Sequence, residues 1–370
     1  MPAHATKPRE WSPRFWEGSD FFAWLRLMWV NRGAVEPRFW YIAAICSGMS
    51  WLNTILRWRQ EGLYGSRIDA YRAKHPPLFV IGHWRTGTTL LHELLILDER
   101  FTSPSTIQCF MPCHFLLSAD FYKKYLWFFV PDRRPMDNMA AGWDRPQEDE
   151  FALCLLGEPS TYTDVAFPNR PAINPGALDL SGLTERERTQ WKRTLKRFVA
   201  ALGVHDPRRL VLKSPPHTAR IKTLLELYPD AKFVHIKRDP YVLFASTVNL
   251  WTSMAKKHGF QMPRNPAQIE EKVFQEFRTI YERLFETVPA IPAGQYAEIR
   301  YEDLVKDLVG GVDDIYAKLN LGEFDAVRPH IEEYAARSKG YETNKYTLTL
   351  EMREKITERW GDLIAKLGYA

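Results

Sequence analysis

Cysteine is scarce in this sequence, with four residues in a chain of 370. So few thiols exclude a disulfide-rich scaffold and favour a reduced, cytoplasmic compartment. The one cluster, Cys109-x3-Cys113-His114, has no second ligand pair at a spacing that suits zinc. We therefore expect all four cysteines to be core or loop thiols.

A glycosylation sequon is absent, and so is an apolar signal-peptide core in the first fifteen residues. The excess of positive charge is only +5, which gives no reason to expect a nucleic-acid partner. Hydrophobic residues make up 45% and charged residues 26%, as in an ordinary globular protein. The length suffices for one large α/β domain with an appendage.

No long hydrophobic run is uninterrupted. Residues 39–56 are apolar, but serine, glycine, asparagine and threonine break the stretch, and arginines flank it. Residues 21–29 are also aromatic and amphipathic. We expect 1–75 to form a helical N-terminal appendage and 76–370 the main domain. Two interpretations of 21–56 stay open: helices lying in a membrane interface, or a hairpin packed on the main domain or on a second copy in a homodimer.

The most informative segment is a glycine loop that follows an apolar, strand-like run at 78–81. Gly82 and Gly87 have the spacing of a phosphate-binding loop, and a helical pattern begins at Thr88. Thr88 stands where a nucleotide triphosphatase needs lysine, and a cation lies inside the loop instead, at Arg85. The segment therefore predicts an anion site at a helix start, unlike that for a magnesium-bound triphosphate.

Strand and helix patterns then alternate, which predicts a three-layer α/β/α fold with a central parallel sheet. Residues 101–175 are rich in proline and aromatics, as expected of irregular segments that shape a cleft. Three predicted strand ends carry a cation, namely Arg85, Lys213 and Arg238. Ligands of such sheets bind beyond the carboxyl ends of the strands, so we expect these cations to share one site. The predicted strands cover 78–81, 209–213, 231–237 and 296–301; the predicted helices cover 88–97, 184–202, 218–228, 241–251, 267–288, 302–319 and 350–367.

Three motifs in order resemble the sulfotransferases that use 3′-phosphoadenosine 5′-phosphosulfate (PAPS). The loop Trp84-Arg-Thr-Gly-Thr-Thr89 is similar to the family's 5′-phosphosulfate loop. A strand that leads to Arg238, with Ser246 eight residues later, is similar to its 3′-phosphate motif, and Lys213-Ser-Pro-Pro lies between the two. The resemblance covers about 78–320 and implies a P-loop-like sulfotransferase fold.

The resemblance also implies roles for individual residues, and the reaction that it implies needs no metal. Arg85 and Lys213 are expected to stabilise the bridging oxygen of the leaving nucleotide. The acceptor is expected to be a hydroxyl or amine, of lipid or carbohydrate chemistry. The residues expected to bind the donor are Arg85, Thr86, Gly87, Thr88, Thr89, Arg238 and Ser246, with a weaker match at Arg337, Lys339 and Gly340.

The general base departs from the family pattern. Cytosolic members carry histidine where this chain has Pro215, and other members carry glutamate in a region that here contains no acid. Two candidates stay open, Glu148 in an acidic triplet at a predicted helix start and His217 after the strand-end lysine. His83 and His114 are further candidates.

Two rival functions remain. A P-loop kinase or nucleotide triphosphatase would need the missing lysine and a strand that ends in a magnesium-binding aspartate. A membrane-peripheral protein that binds a nucleotide without turnover would explain the unassigned base.

Overall fold

The computed structural model describes residues 14–126, 142–337 and 348–369. Within these ranges, five strands form an all-parallel sheet in the order β2-β3-β1-β4-β5. The strands are β1 Leu78–Ile81, β2 Phe101–Thr102, β3 Arg209–Lys213, β4 Lys232–Lys237 and β5 Tyr296–Arg300. The strand order confirms the predicted parallel sheet, with the glycine-loop strand at its centre.

The α-helices of the described residues connect and cover these strands. In chain order they are α1 Phe21–Val30, α2 Trp40–Ala70, α3 Thr88–Leu95, α4 Thr106–Phe110, α5 Phe115–Tyr125, α6 Asp149–Leu155, α7 Glu185–His205, α8 Ile221–Leu227, α9 Pro240–His258, α10 Pro266–Thr287, α11 Tyr301–Lys306, α12 Leu308–Leu319, α13 Arg328–Arg337 and α14 Leu350–Leu367.

Alternating side chains of β1 point into two separate hydrophobic clusters. Leu78 and Val80 pack with apolar side chains of α3, α11, α12 and α13 on one face of the sheet. Phe79 and Ile81 pack with those of α7, α8, α9, α10 and α14 on the other face. Because successive side chains of a strand alternate between faces, the sheet is buried on both sides. This is the predicted three-layer α/β/α arrangement.

The helices α1 and α2 pack along the main domain by one face. Trp24, Ile42 and Cys46 belong to the same hydrophobic cluster as the sheet. Polar side chains on this face also bond to the domain: Asn53 Oδ1 lies 3.0 Å from His114 Nε2, and Gln60 Nε2 donates to the carbonyl of Cys113 (3.1 Å). By length and composition alone, the helix over 37–70 could cross a membrane.

The predicted helix over 302–319 is wrong in one respect, because the chain forms two helices there. Asp307 adopts an extended conformation between α11 and α12, and its carboxylate accepts a hydrogen bond from the Gly310 amide (2.9 Å). An aspartate that caps a new helix satisfies its first amides and interrupts the preceding one. The prediction missed β2, which has two residues, and α13.

The four cysteines are free and buried, as expected. His114, the residue next to Cys113, uses both ring nitrogens in hydrogen bonds, to Ser118 Oγ (2.7 Å) and Asn53 Oδ1 (3.0 Å). Burial lowers the pKa of this imidazole to about 4. The cysteine and histidine cluster is therefore part of the core around α2, α4 and α5.

Candidate active site

The carboxyl ends of β1, β3 and β4 meet at one edge of the sheet, as the parallel pairing requires. Lys213, the last residue of β3, pairs with Val80 of β1, and His235 of β4 pairs with Ile81. Arg238 follows directly after β4. The three predicted cations therefore follow neighbouring strands at the same edge.

The loop between β1 and α3 needs glycine at two positions. Gly82 has φ +150°, and a Cβ atom there would come 2.4 Å from the carbonyl oxygen of Ile236. Gly87, the residue before α3, has φ +99°, and its Cβ would come 2.4 Å from the ring of Tyr301. Neither space nor backbone conformation admits a side chain, so the strand, loop and helix pack closely.

Arg85 adopts a left-handed conformation, with φ +70°, although it is not glycine. Such strain in a loop residue persists only where its surroundings hold it, and it is commonly found at functional sites. Two contacts hold Arg85: its Nε donates to Ser246 Oγ (2.9 Å), and its carbonyl accepts a hydrogen bond from Arg238 Nη1 (3.1 Å). The guanidinium of Arg238 lies over the ring of Tyr301, 4.3 Å from its centroid.

These contacts bring together three residues from two separate motifs that the sequence placed in one site. Arg85 comes from the glycine loop, Arg238 from the end of β4 and Ser246 from the second turn of α9. The first amides of a helix have no partner within the helix, so they carry partial positive charge. Beside the start of α3, this cluster can bind a compact polyanion.

The loop hydroxyls differ in their surroundings. Thr86 is buried, and its Oγ1 donates to the carbonyl of His83 (2.7 Å), which fixes the shape of the loop. Thr88 is buried as well, and Thr89 is half-buried. His83 itself is buried, and this burial lowers its pKa to about 4, so its imidazole is neutral near pH 7.

The carboxylate of Glu148 meets the strand-end lysine. Lys213 Nζ donates to Glu148 Oε1 (2.7 Å), with 1% of the lysine side chain and 10% of the glutamate side chain exposed. The hydroxyl of Tyr162 donates to the other oxygen, Oε2, and it accepts a hydrogen bond from the indole of Trp84 (3.0 Å). A carboxylate, a lysine and the residue before Arg85 thus form one hydrogen-bonded network.

The next two acids of the triplet bind the segment that follows β3. Asp149 accepts hydrogen bonds from Ser214 Oγ (2.9 Å) and lies 2.6 Å from His217 Nε2. Burial alone would raise the pKa of Asp149, but the contacts with His217 and Ser214 lower it below its ordinary value. Glu150 pairs with both terminal nitrogens of Arg220 (2.5 and 3.1 Å). Buried hydrogen bonds and an ion pair therefore connect the start of α6 to the segment that follows β3.

His217 is fully buried within this arrangement. Its ring meets the ring of Phe79 edge to face, with centroids 5.4 Å apart, on the core face of the sheet. Thr218, the next residue, accepts a hydrogen bond from the Gly82 amide (2.7 Å). The 3-10 turn at Pro215–Ala219 therefore supports the glycine loop from below.

A second ionic cluster lies at the outer side of the same edge, between β4 and β5. Glu298 contacts His235 Nδ1 (2.9 Å) and Lys237 Nζ. Burial would raise the pKa of Glu298, but these two contacts lower it to about 2.

Of the predicted C-terminal basic segment, Arg337 alone lies within the described residues. Arg337 ends α13, is exposed and lies 3.7 Å from Glu333. Lys339 and Gly340 fall outside the described residues.

Sequence reasoning missed Trp84, Tyr162, Asp149 and Arg220 as members of the site's supporting contacts. The acidic triplet was a signal for Asp149, since three consecutive acids that become buried must each find a partner. Tyr162 stands in a segment without clear periodicity, and no local pattern marks it.

A model of the sulfotransferase family matches residues 76–325. Omega-hydroxy-beta-dihydromenaquinone-9 sulfotransferase Stf3 of Mycobacterium bovis is 42% identical over 361 residues, which cover 98% of this chain and 92% of that protein. The same protein of Mycobacterium tuberculosis shows the same identity and coverage.

Among solved structures, sulfotransferase STF9 from Mycobacterium avium has a TM-score of 0.67 and 18% identity, covering 99% of each chain. Sulfotransferase STF1 from Mycobacterium tuberculosis has a TM-score of 0.58 and 22% identity, covering 92% of this chain and 90% of that one. At these identities the likeness concerns the fold, and it agrees with the three-layer architecture.

Proposed function

This chain belongs to the sulfotransferase family, and on that premise we propose that it moves a sulfuryl group from PAPS to an acceptor hydroxyl or amine. The observation that carries the proposal is the meeting of Arg85, Ser246 and Arg238 beside the glycine loop. A kinase or nucleotide triphosphatase is not favoured, since the family match and Thr88 both argue against it.

The two anionic ends of the donor would be held by different groups. The amides and hydroxyls of the loop, from Thr86 to Thr89, suit the 5′-phosphosulfate at the start of α3. Arg238 and Ser246 suit the 3′-phosphate, because a guanidinium fork and a hydroxyl can bind its oxygens together. Arg337, Lys339 and Gly340 remain proposed further contacts to that phosphate. None of these contacts requires a metal.

The reaction would proceed as an in-line displacement at sulfur. The acceptor oxygen forms a bond to sulfur, and the bond from sulfur to the bridging phosphate oxygen breaks with its electron pair going to that oxygen. Arg85 and Lys213 would stabilise the charge that develops there. The proton of the acceptor would pass to a general base.

We assign the base to Glu148 rather than His217. Glu148 contacts Lys213, the residue that we propose to stabilise the leaving oxygen. Its carboxylate would therefore lie next to the reacting groups. His217 is enclosed, and its Nε2 is bound to Asp149. Its proposed role is to position the turn that supports the glycine loop.

The proposed acceptor is a hydroxyl group on a lipid. The relative that is 42% identical is named for a hydroxylated dihydromenaquinone. Transfer of radiolabelled sulfate from PAPS tests the reaction directly, with an ω-hydroxylated isoprenoid quinol set beside a soluble phenol and a free sugar. Turnover of the soluble acceptors alone would remove the lipid assignment.

The outer face of α1 and α2 supports a lipid substrate, because it presents large apolar side chains to solvent. Trp29 is 81% exposed, Trp40 64% and Trp58 62%. Further exposed side chains on the two helices are Phe22, Leu25, Val30, Tyr41, Ile45, Trp51, Leu52, Ile55 and Leu63. An apolar face of this extent is unusual on a monomeric soluble protein and typical of a surface that another phase or partner covers.

Most charges exposed beside this face are positive. The exposed acids near the end of α2, Glu61 and Asp69, pair with Arg197. The charged residues exposed between 21 and 60 are all arginines: Arg26, Arg32, Arg38, Arg57 and Arg59. Glu36 is half-buried and paired with Arg38. Arginine beside tryptophan suits the headgroup region of an anionic bilayer. We propose that 21–56 lies in the plane of such a membrane, since the opposite face of α2 is bonded to the main domain.

Sedimentation with liposomes tests this contact. The wild-type protein should bind phosphatidylglycerol vesicles more tightly than phosphatidylcholine vesicles, and binding should weaken with salt. Trp29→Ser with Trp40→Ser should reduce binding at least about tenfold, whereas Leu350→Ser, at a residue 81% exposed on α14, should not. A stable homodimer without vesicle binding would assign the face to a second copy instead.

A further inference from the structure

Tyr162 links the glycine loop to the proposed base. Its hydroxyl accepts a hydrogen bond from Trp84 Nε1 (3.0 Å) and donates its own proton to Glu148 Oε2. Lys213 occupies the other carboxylate oxygen at 2.7 Å. Trp84 is the residue before Arg85, so a continuous set of hydrogen bonds runs from the loop to the end of β3.

The phenol ring cannot move aside without a change in packing. Tyr162 is 2% exposed and stacks on Phe151, with centroids 4.6 Å apart and an interplanar angle of 17°. Trp251 of α9 packs on it at 5.7 Å. Burial, and then the neighbouring charge of Glu148, raise the pKa of Tyr162 well above 10. The hydroxyl therefore stays protonated and acts as a donor to the carboxylate.

Catalysis places competing demands on the two partners of Glu148. In the proposed reaction, Lys213 also stabilises the charge on the leaving oxygen of the donor. Its ammonium group is therefore divided between that oxygen and the Glu148 carboxylate. The Tyr162 contact is not shared in this way, because Trp84 occupies the hydroxyl's acceptor side and the ring is enclosed. Tyr162 thus keeps its hydrogen bond to the carboxylate while Lys213 interacts with the nucleotide.

We propose that Tyr162 is a positioning residue that holds the Glu148 carboxylate towards the acceptor, while the Trp84 indole fixes the orientation of its hydroxyl. This inference rests on the proposed function, since it takes Glu148 as the base. Tyr162 itself touches neither substrate. Its effect should appear in the rate of transfer and leave the affinity for the nucleotide unchanged.

The test is Tyr162→Phe, which keeps the stacked ring and removes only the hydroxyl. We expect kcat to fall about 10- to 100-fold, the range for losing one hydrogen bond to a charged group. The KM for PAPS and the Kd for adenosine 3′,5′-bisphosphate should stay within about twofold. Tyr228→Phe is the matched control, because the buried Tyr228 hydroxyl has no hydrogen-bond partner among the described residues, and its kcat should not change.

A double-mutant cycle separates positioning from packing. If Tyr162 acts through Glu148, then Tyr162→Phe should cost little or no further rate in a Glu148→Gln background. Equal losses in both backgrounds would overturn the proposal, and so would an unchanged kcat in the single variant. A loss of nucleotide affinity in Tyr162→Phe would assign the residue to the loop instead. Absence of nucleotide binding in the folded wild-type protein would refute the proposed function itself.

Discussion

Replacement of Glu148 by glutamine is the most decisive perturbation of the proposed mechanism. The change replaces one carboxylate oxygen by an amide NH2 group and leaves the side chain nearly the same size. Glu148 then cannot accept a proton from the acceptor, and Lys213 loses its anionic partner. The two consequences are separable, because one concerns the rate and the other the stability of the fold.

The structure sets the expected sizes. A positioned general base contributes about 100- to 10,000-fold to a rate, and kcat should fall by that amount. The lysine side chain is 1% exposed, so its pairing matters to the fold. Breaking a buried pair costs about 3–5 kcal/mol when nothing replaces the lost partner. Glutamine keeps one acceptor oxygen for Lys213 Nζ, so we expect a loss of about 1–3 kcal/mol.

The assay is single-turnover sulfate transfer from PAPS, together with denaturant unfolding of the same protein sample. Calorimetric titration with adenosine 3′,5′-bisphosphate shows whether the variant still binds nucleotide. His217→Asn is the comparison, because it removes the contact with Asp149 and should mainly lower stability. If His217→Asn loses more rate than Glu148→Gln at equal nucleotide affinity, the assignment of the base is refuted.

Other variants probe separate parts of the site. Arg238→Ala should weaken binding of adenosine 3′,5′-bisphosphate about 10- to 100-fold by calorimetry, with Arg238→Lys between it and wild type; Lys213→Ala should lower kcat more than this affinity, and the reverse order would exchange their roles. Gly87→Ala forces a side chain into a φ of +99° against Tyr301 and should cost about 1–3 kcal/mol in urea unfolding; an unchanged midpoint would show that the loop is not constrained. The pKa of Glu298 is about 2 when folded and 4.5 as the ordinary value, so its ion pairs stabilise the fold above pH 4.5, and this contribution is lost as the pH falls towards 2. Glu298→Gln should therefore cost about 1–2 kcal/mol at pH 7, allowing for partial exposure, with a gap to wild type that narrows between pH 4.5 and 3; a gap independent of pH would contradict the argument.

The sheet edge was predictable because each of its parts has a local signal. A short apolar run that ends in a glycine loop or a proline turn predicts a buried strand, and three such strands were predicted with their cations. Alternating strands and helices predict a parallel sheet, in which the carboxyl ends of the strands lie at one edge. The proximity of Arg85 and Arg238, which follow two strands of that sheet, was therefore predictable. Their contact through the Arg85 carbonyl depends on a strained backbone that no pattern reveals.

The partners of the acidic triplet could not be predicted in the same way. Glu148, Asp149 and Glu150 are separated from Lys213, His217 and Arg220 by more than sixty residues. Sequence alone shows three acids at a helix start, where helix charge is a sufficient explanation. Only the packing of α6 against the end of β3 shows that each acid is buried with its own partner.

The break at Asp307 has a similar origin. An apolar periodicity continues through 302–319, and it predicts one helix. The capping bond from Gly310 to Asp307 competes with the helix, and tertiary packing of α12 on the sheet decides the outcome. By contrast, the predicted helix start at 184 agrees with the structure, where Thr184 caps α7 and forms a capping box with Glu187.

The measurement that tests the central claim most directly is calorimetric titration of the folded protein with adenosine 3′,5′-bisphosphate in the presence of a chelator. Three cations at one sheet edge should bind this bisphosphate with one-to-one stoichiometry, and added magnesium should not strengthen the binding. Absence of binding to folded protein, or binding that requires magnesium, would contradict the account.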